Sequence, residues 1–167
     1  MCKKFKVLTI FLIISCLVVN MGSNKKFNSK VYLNISKSLP RGLYLVKKVT
    51  PQIGDLVIID LSVAHKNLLG KQDSLKFEGL LLKPIIAMGG DYVCNDQNSI
   101  LINQNIKLSG KDPIQLYQIC RKLQPEELFV AITATANSLD SRYFGPITNK
   151  DIRAVVRPLF IFNNTKN

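Results

Sequence analysis

One histidine, His65, is all that the 167 residues contain. A histidine-based catalytic triad would have to use it, and it stands in Ala64-His65-Lys66-Asn67, a polar stretch that reads as exposed surface. Acidic residues are few as well, 11 against 23 Lys and Arg, leaving a formal charge of +12. That balance invites a nucleic-acid partner, yet the lysines are scattered and neither an aromatic-basic stripe nor a nucleic-acid motif accompanies them, so none is expected. Attraction to anionic lipid headgroups accounts for the charge at least as well. Repeats and low-complexity tracts are missing, and the length suffices for one globular domain with a core but not for two ordinary ones. No metal and no cofactor are expected.

What is present begins with an appendage. Lys3, Lys4 and Lys6 precede an apolar run over residues 7–19, which Asn20, Gly22 and Ser23 end. Residues 1–24 therefore read as a signal or anchor segment that targets the membrane, and residues 25–167 as the domain it delivers. The run is short for a spanning helix, which needs about 20 apolar residues, and fits the apolar region of a signal peptide. Phe5 and Met21 extend it at the interfaces and keep an uncleaved anchor open. Ile13-Ile14-Ser15-Cys16 also looks like a lipoprotein processing box, although the apolar run continues past Cys16. Lysines flank both ends, so the positive-inside bias is weak, but a long C-terminal domain crosses regardless of such charges. Cys2 and Cys16 belong to this segment. Cys94 and Cys120 lie in the domain, where an oxidising compartment permits them to pair, and a bridge there would contribute roughly 3 kcal/mol through the unfolded state. Two buried free thiols are the alternative.

Beyond Lys30 the pattern is mainly β. Apolar runs at residues 42–46, 55–59, 80–87, 100–102, 128–132 and 155–161 are rich in Val, Ile and Leu and are divided by Gly, Pro, Asn and Asp. Pro51-Gln52-Ile53-Gly54-Asp55 and Gly89-Gly90-Asp91 carry turn chemistry, and Asn103-Gln104-Asn105 is a hairpin candidate. Residues 62–77 are polar and could be helical in part, and the Asn-rich tail at residues 163–167 is expected to fray.

With histidine nearly absent, lysine is the remaining base for a serine nucleophile. Burial strips water from a lysine ammonium and lowers its pKa until the amine accepts a proton. Lys83 is the lysine flanked by a continuous apolar run, Leu80-Leu81-Leu82 before it and Pro84-Ile85-Ile86 after. A strand lysine whose head reaches solvent while its stem packs is the bland alternative. Pro84 offers no N–H to a ladder, so the strand is expected to be an edge or to be bulged there.

Four blocks in order complete the pattern: Ser36-Lys37-Ser38-Leu39-Pro40-Arg41-Gly42-Leu43-Tyr44, Ile53-Gly54-Asp55-Leu56-Val57, the Lys83 strand running into Met88-Gly89-Gly90-Asp91, and Asn137-Ser138-Leu139-Asp140-Ser141-Arg142-Tyr143-Phe144-Gly145. Together, over most of residues 33–160, they resemble the signal peptidase I family of Ser/Lys proteases. The short Ser-Leu-Pro spacing followed by Gly-Leu-Tyr is similar to the TraF-type conjugal-transfer propilin peptidases. Thr133-Ala134-Thr135-Ala136 stands where general signal peptidases carry Gly-Asp-Asn-Arg, and Gly89 stands where they carry proline.

The resemblance implies a signal-peptidase-like β-sheet catalytic domain in which Ser38 is the nucleophile and Lys83 the general base. It implies that the Ser38 backbone N–H and the Ser36 hydroxyl form the oxyanion hole. Ser36 equally fits a turn cap, and Asn34-Ile35-Ser36 fits a glycosylation acceptor. Ser138 would orient the lysine amine while Asp140 and Arg142 pair to hold the loop beside it, although an Asp-x-Arg pair also fits a weak surface ion pair. Cys94 and Cys120 would staple a substrate-side insertion. The implied partner is an exported precursor, a pilin subunit or another signal-peptide-bearing protein, met at the cell inner membrane with the catalytic domain on the periplasmic or extracytoplasmic side. A general type I leader peptidase and a non-catalytic exported β-domain or lipoprotein of a secretion assembly are the other readings.

Overall fold

Alternating apolar residues between turn formers build a mainly β domain. The computed structural model describes residues 30–60, 62, 79–110 and 115–162. The targeting segment at residues 1–24, the polar stretch after Ser62 with His65, and the tail at residues 163–167 lie outside them. Among the described residues eleven strands form two sheets. The strands are β1 (Val31–Asn34), β2 (Gly42–Lys47), β3 (Leu56–Asp60), β4 (Leu80–Met88), β5 (Tyr92–Asp96), β6 (Ser99–Ile102), β7 (Ile106–Ser109), β8 (Cys120–Lys122), β9 (Glu127–Val130), β10 (Ile147–Thr148) and β11 (Ile152–Ile161). The larger sheet runs β1-β2-β11-β3-β4-β9-β10 and the smaller β7-β6-β5-β8.

Period-two alternation divides the larger sheet into two buried faces. Val57, Ile59, Ile85, Val130 and Val155 belong to one apolar cluster, and their strand neighbours Ile58, Leu82 and Val156 join Tyr44 in another. A third cluster links the sheets, with Val93, Ile100, Ile102 and Leu108 of the smaller sheet against Ala87, Phe129 and Tyr143.

The chain passes from the larger sheet to the smaller at the end of β4. The Asp91 backbone N–H donates to Met88 O at 3.0 Å, while the Asp91 carboxylate accepts from the Met88 N–H at 2.8 Å. Gly89 fits because Pro125 crowds the turn: a Cβ there would stand 2.6 Å from the Pro125 Cα.

Two sequence expectations are settled by register. β4 is bulged rather than an edge, since it pairs with β3 through Leu56↔Pro84 and with β9 through a ladder that shifts between Ile85 and Ala87. The Pro84 carbonyl accepts from the Ala131 N–H at 3.2 Å, so the missing proline N–H faces the end of β9, where the ladder stops. Asn103 and Gln104 both adopt positive φ, 48° and 61°, in the connection that returns β6 antiparallel into β7. Cys94 and Cys120, directly opposite on β5 and β8, form a disulfide.

Candidate active site

Lys83 is 3 % exposed and lies on β4 between Leu81 and Ile85, on the face that packs against Val57 and Val130. Its Nζ donates to the Ser138 Oγ at 2.8 Å across 55 positions of sequence. Loss of water lowers the Lys83 pKa from the usual lysine value; the nearby Asp140 carboxylate opposes that shift and the Arg142 guanidinium adds to it. The snorkelling alternative fails because Lys83 is buried and its amine ends on the Ser138 hydroxyl rather than in solvent.

Ser138 is delivered by the segment that follows β9 and ends in a short helix, α1 (Ser141–Phe144). Asp140 caps α1 and accepts from the Arg142 backbone N–H. The Ser141 hydroxyl accepts from the Val130 N–H at 3.0 Å, which fastens the helix start to the end of β9. Asp140 and Arg142 are 0 % and 1 % exposed and pair through two nitrogens, Nε at 2.9 Å and Nη2 at 2.8 Å. The surface-pair alternative is therefore excluded. Nη2 also donates to the Thr135 and Ile132 carbonyls and Nη1 to the Ser109 carbonyl, and the second Asp140 oxygen also takes the Ile132 N–H. A buried ion pair of this kind is tolerable because each of its polar atoms is partnered. The bond to Ser109 also ties the lysine site to β7 of the smaller sheet.

Ser36 and Ser38 lie on the turn of residues 35–41 between β1 and β2. Ser36 is exposed and Ser38 half-buried, and an open surface depression of about 420 Å³ is bounded by Lys37, Ser38, Leu39, Pro40 and Arg41. Among the described residues no hydrogen bond joins Ser38 to Lys83. Leu39 packs against the cluster of Tyr44, Ile58, Leu82 and Val156, whereas Lys83 points to the other face of β4.

Asn34, which the sequence offered only as a glycosylation acceptor, turns out to organise this turn. It is 9 % exposed, and its side-chain nitrogen donates to the Leu39 and Pro40 carbonyls at 3.2 and 3.0 Å. That burial removes the acceptor reading. Its Oδ1 accepts from the Ser36 N–H at 3.1 Å and from the Ser36 hydroxyl at 2.8 Å. The sequence did carry a signal: Asn followed two residues later by a turn residue is an Asx turn in waiting.

A model of the family described as "Signal peptidase, peptidase S26" matches residues 3–161. The chain belongs to the signal peptidase family. It is thus a serine peptidase for exported precursors. Two curated relatives carry conjugation names. The plasmid transfer protein TraF of Escherichia coli is 27 % identical over 143 residues, covering 76 % of this chain and 80 % of that protein. The conjugal transfer protein TraF of Agrobacterium tumefaciens is 28 % identical over 146 residues, 78 % and 82 % of the two chains. Among solved structures, a signal peptidase I from Enterococcus faecalis aligns with a TM-score of 0.41 and 18 % identity, over 66 % of this chain and all of that one. Within this signal peptidase, Lys83, Ser138, Asp140 and Arg142 come together as one buried group, and Ser36 and Ser38 share the shallower turn of residues 35–41.

Proposed function

We propose that this signal peptidase is a membrane-associated serine endopeptidase that uses a Ser38/Lys83 dyad to process an exported precursor, a conjugative pilin subunit in particular. The observation that carries the dyad is a lysine 3 % exposed, stripped of water and held by a serine hydroxyl. A lysine so placed has a reason to be neutral, and a neutral amine is what a serine nucleophile lacks. The pilin substrate rests on the conjugal-transfer relatives and on the Ser-Leu-Pro spacing of the serine turn.

In the reaction, the neutral Lys83 amine takes the Ser38 hydroxyl proton as the Ser38 oxygen attacks the scissile carbonyl. The C–N bond then breaks and the Lys83 ammonium returns the proton to the leaving amine. Water that gives its proton to the same lysine attacks the ester and releases the acyl group, restoring Ser38. The oxyanion is met by the Ser38 N–H and, once freed from Asn34, by the Ser36 hydroxyl. Chemistry requires the Ser38 hydroxyl to come within hydrogen-bond reach of Lys83 in the precursor-bound enzyme, since catalytic contacts are commonly looser without substrate.

Residues 1–24 hold the enzyme at the inner membrane, with its domain on the periplasmic or extracytoplasmic side. Enzyme and precursor confined to one surface meet at a raised effective concentration. Incubation of the full chain with a pilin precursor and a panel of other exported precursors, followed by sequencing of the new termini, tests the reading. Cleavage of the pilin precursor that Ser38→Ala and Lys83→Ala both abolish is expected. Equal processing of the whole panel would make the enzyme a general leader peptidase, and processing unaffected by either substitution would end the dyad.

A further inference from the structure

We infer that Asn34 is a positioning residue for the nucleophile turn, acting on Ser38 through the backbone and on Ser36 through its hydroxyl; the catalytic side of this rests on the dyad reading above. Three observations converge on it. Asn34 and Gly42 are partners in the β1/β2 register, so residues 35–41 must leave and return at one point. Asn34 fastens both arms of the turn there, Ser36 on one and Leu39 with Pro40 on the other. Tyr44 adds a further tie, its hydroxyl donating to the Pro40 carbonyl at 2.6 Å. Burial pushes the Tyr44 phenol pKa up, with Asn34 opposing the shift, so the proton for that bond stays in place.

The orientation of the Asn34 amide follows from chemistry. Carbonyls only accept, so the NH2 must face Leu39 and Pro40; the Ser36 N–H only donates, so the carbonyl oxygen must face Ser36. The Ser36 hydroxyl has one hydrogen, and at 2.8 Å that hydrogen goes to Asn34. Asn34 therefore sets the position of Ser38 in the middle of the turn and occupies the donor that an oxyanion would need from Ser36. No side chain of similar length substitutes: aspartate keeps the acceptor for Ser36 but turns a second oxygen on the Leu39 and Pro40 carbonyls, and alanine loses both arms.

The test combines kinetics with amide hydrogen exchange on the full chain. Asn34→Ala and Asn34→Asp are each expected to lower kcat for the pilin precursor by roughly 10- to 100-fold, the scale of losing buried hydrogen-bond partners, with KM changed by less than about threefold. Exchange is expected to quicken in peptides covering residues 35–43 and to stay unchanged in peptides covering β4 and β9. In the cycle with Ser36→Ala, the double variant is expected to lose less than the product of the single losses. Unchanged exchange over residues 35–43, quickened exchange throughout, full kcat despite local loosening, or simple multiplication of the losses would each overturn the proposal. If the wild-type chain cleaves none of the precursors, the dyad reading fails by itself, and the exchange pattern still decides whether Asn34 holds the turn.

Discussion

Lys83 and Ser138 meet at 2.8 Å in a site that excludes water, although 55 positions separate them. The contact fixes a flexible four-carbon side chain by its tip. It also shows how two of the sequence motifs become one site: the β4/β9 ladder brings the strand of Lys83 beside the segment that leads to Ser138. Among the described residues no carboxylate is bonded to the amine; Asp140 gives its charge first to Arg142. That arrangement leaves the lysine poised to lose its proton.

Replacing Lys83 by methionine isolates this effect. The folded-state pKa of Lys83 is lowered relative to the unfolded chain, so between the two values the unfolded chain binds more protons and stability rises with pH. The stabilising contribution is full above the unfolded value and is lost as pH falls through the folded one. Lys83→Met removes the titration, and denaturant unfolding over a pH series is expected to show the variant gaining on the wild type as pH falls. Parallel curves at all pH values would mean that Lys83 is not desolvated.

A second expectation concerns the charges on either side. Asp140 holds the Lys83 pKa up and Arg142 pushes it down, so their neutral variants are expected to move the rise of activity with pH in opposite directions. Asp140→Asn shifts the rise to lower pH, and Arg142→Gln shifts it to higher pH. Both variants lose about 3–5 kcal/mol of stability, because each leaves a buried charge unpaired. Profiles of kcat/KM against pH, collected below each variant's unfolding temperature, check the signs. A shift in the same direction for both would contradict the assignment of the two charges.

Legibility in the sequence followed the physics of each feature. The strands around Val57, Leu82 and Val130 were readable because an apolar run of that kind has few fates besides a buried strand. Strands β1, β5 and β8 were not, since Tyr32, Asn95 and Arg121 give no alternation, and these strands are held by their partners' hydrogen bonds and by the Cys94–Cys120 bridge. Lys83 announced itself by its neighbours. Asp140 and Arg142 did not announce their burial, because Asp-x-Arg reads alike on a surface and in a core. The role of Asn34 needed the β1/β2 register, which places it opposite Gly42 and makes it the hinge of a closed turn. Gly42 itself is demanded by a contact invisible in sequence: a Cβ there would collide with the Phe160 carbonyl of β11.

Ser138→Ala tests orientation separately from charge. The hydroxyl accepts from the lysine amine and carries no charge of its own, so its loss frees the Lys83 tip to rotate away from the position the proposed dyad requires. A fall in kcat of roughly 10²-fold is expected, a typical share for a positioned proton-transfer group, with Ser138→Thr recovering part of it. Global stability should fall by only about 1–2 kcal/mol, the cost of one buried hydrogen bond. A variant with full activity would remove Ser138 from the site.

The Cys94–Cys120 bridge offers the opposite case, stability without chemistry. It links β5 and β8 of the smaller sheet across a sequence separation of 26, and among the described residues neither cysteine is hydrogen-bonded to Lys83, Ser138, Asp140 or Arg142. Closing a loop of that length is worth about 3.5 kcal/mol in the chain-entropy description, through restriction of the unfolded state. The Cys94→Ser, Cys120→Ser double variant is therefore expected to unfold at lower denaturant by that margin. Its pH dependence of activity should overlay the wild type at temperatures where both are folded, because the charges that tune Lys83 belong to Asp140 and Arg142. Gel mobility with and without reductant, unfolding midpoints and the pH profile together decide the matter. A displaced profile would mean that the smaller sheet, through the Ser109 carbonyl held by Arg142, transmits strain to the lysine; an unchanged midpoint would mean that the bridge restrains a segment already ordered in the unfolded chain.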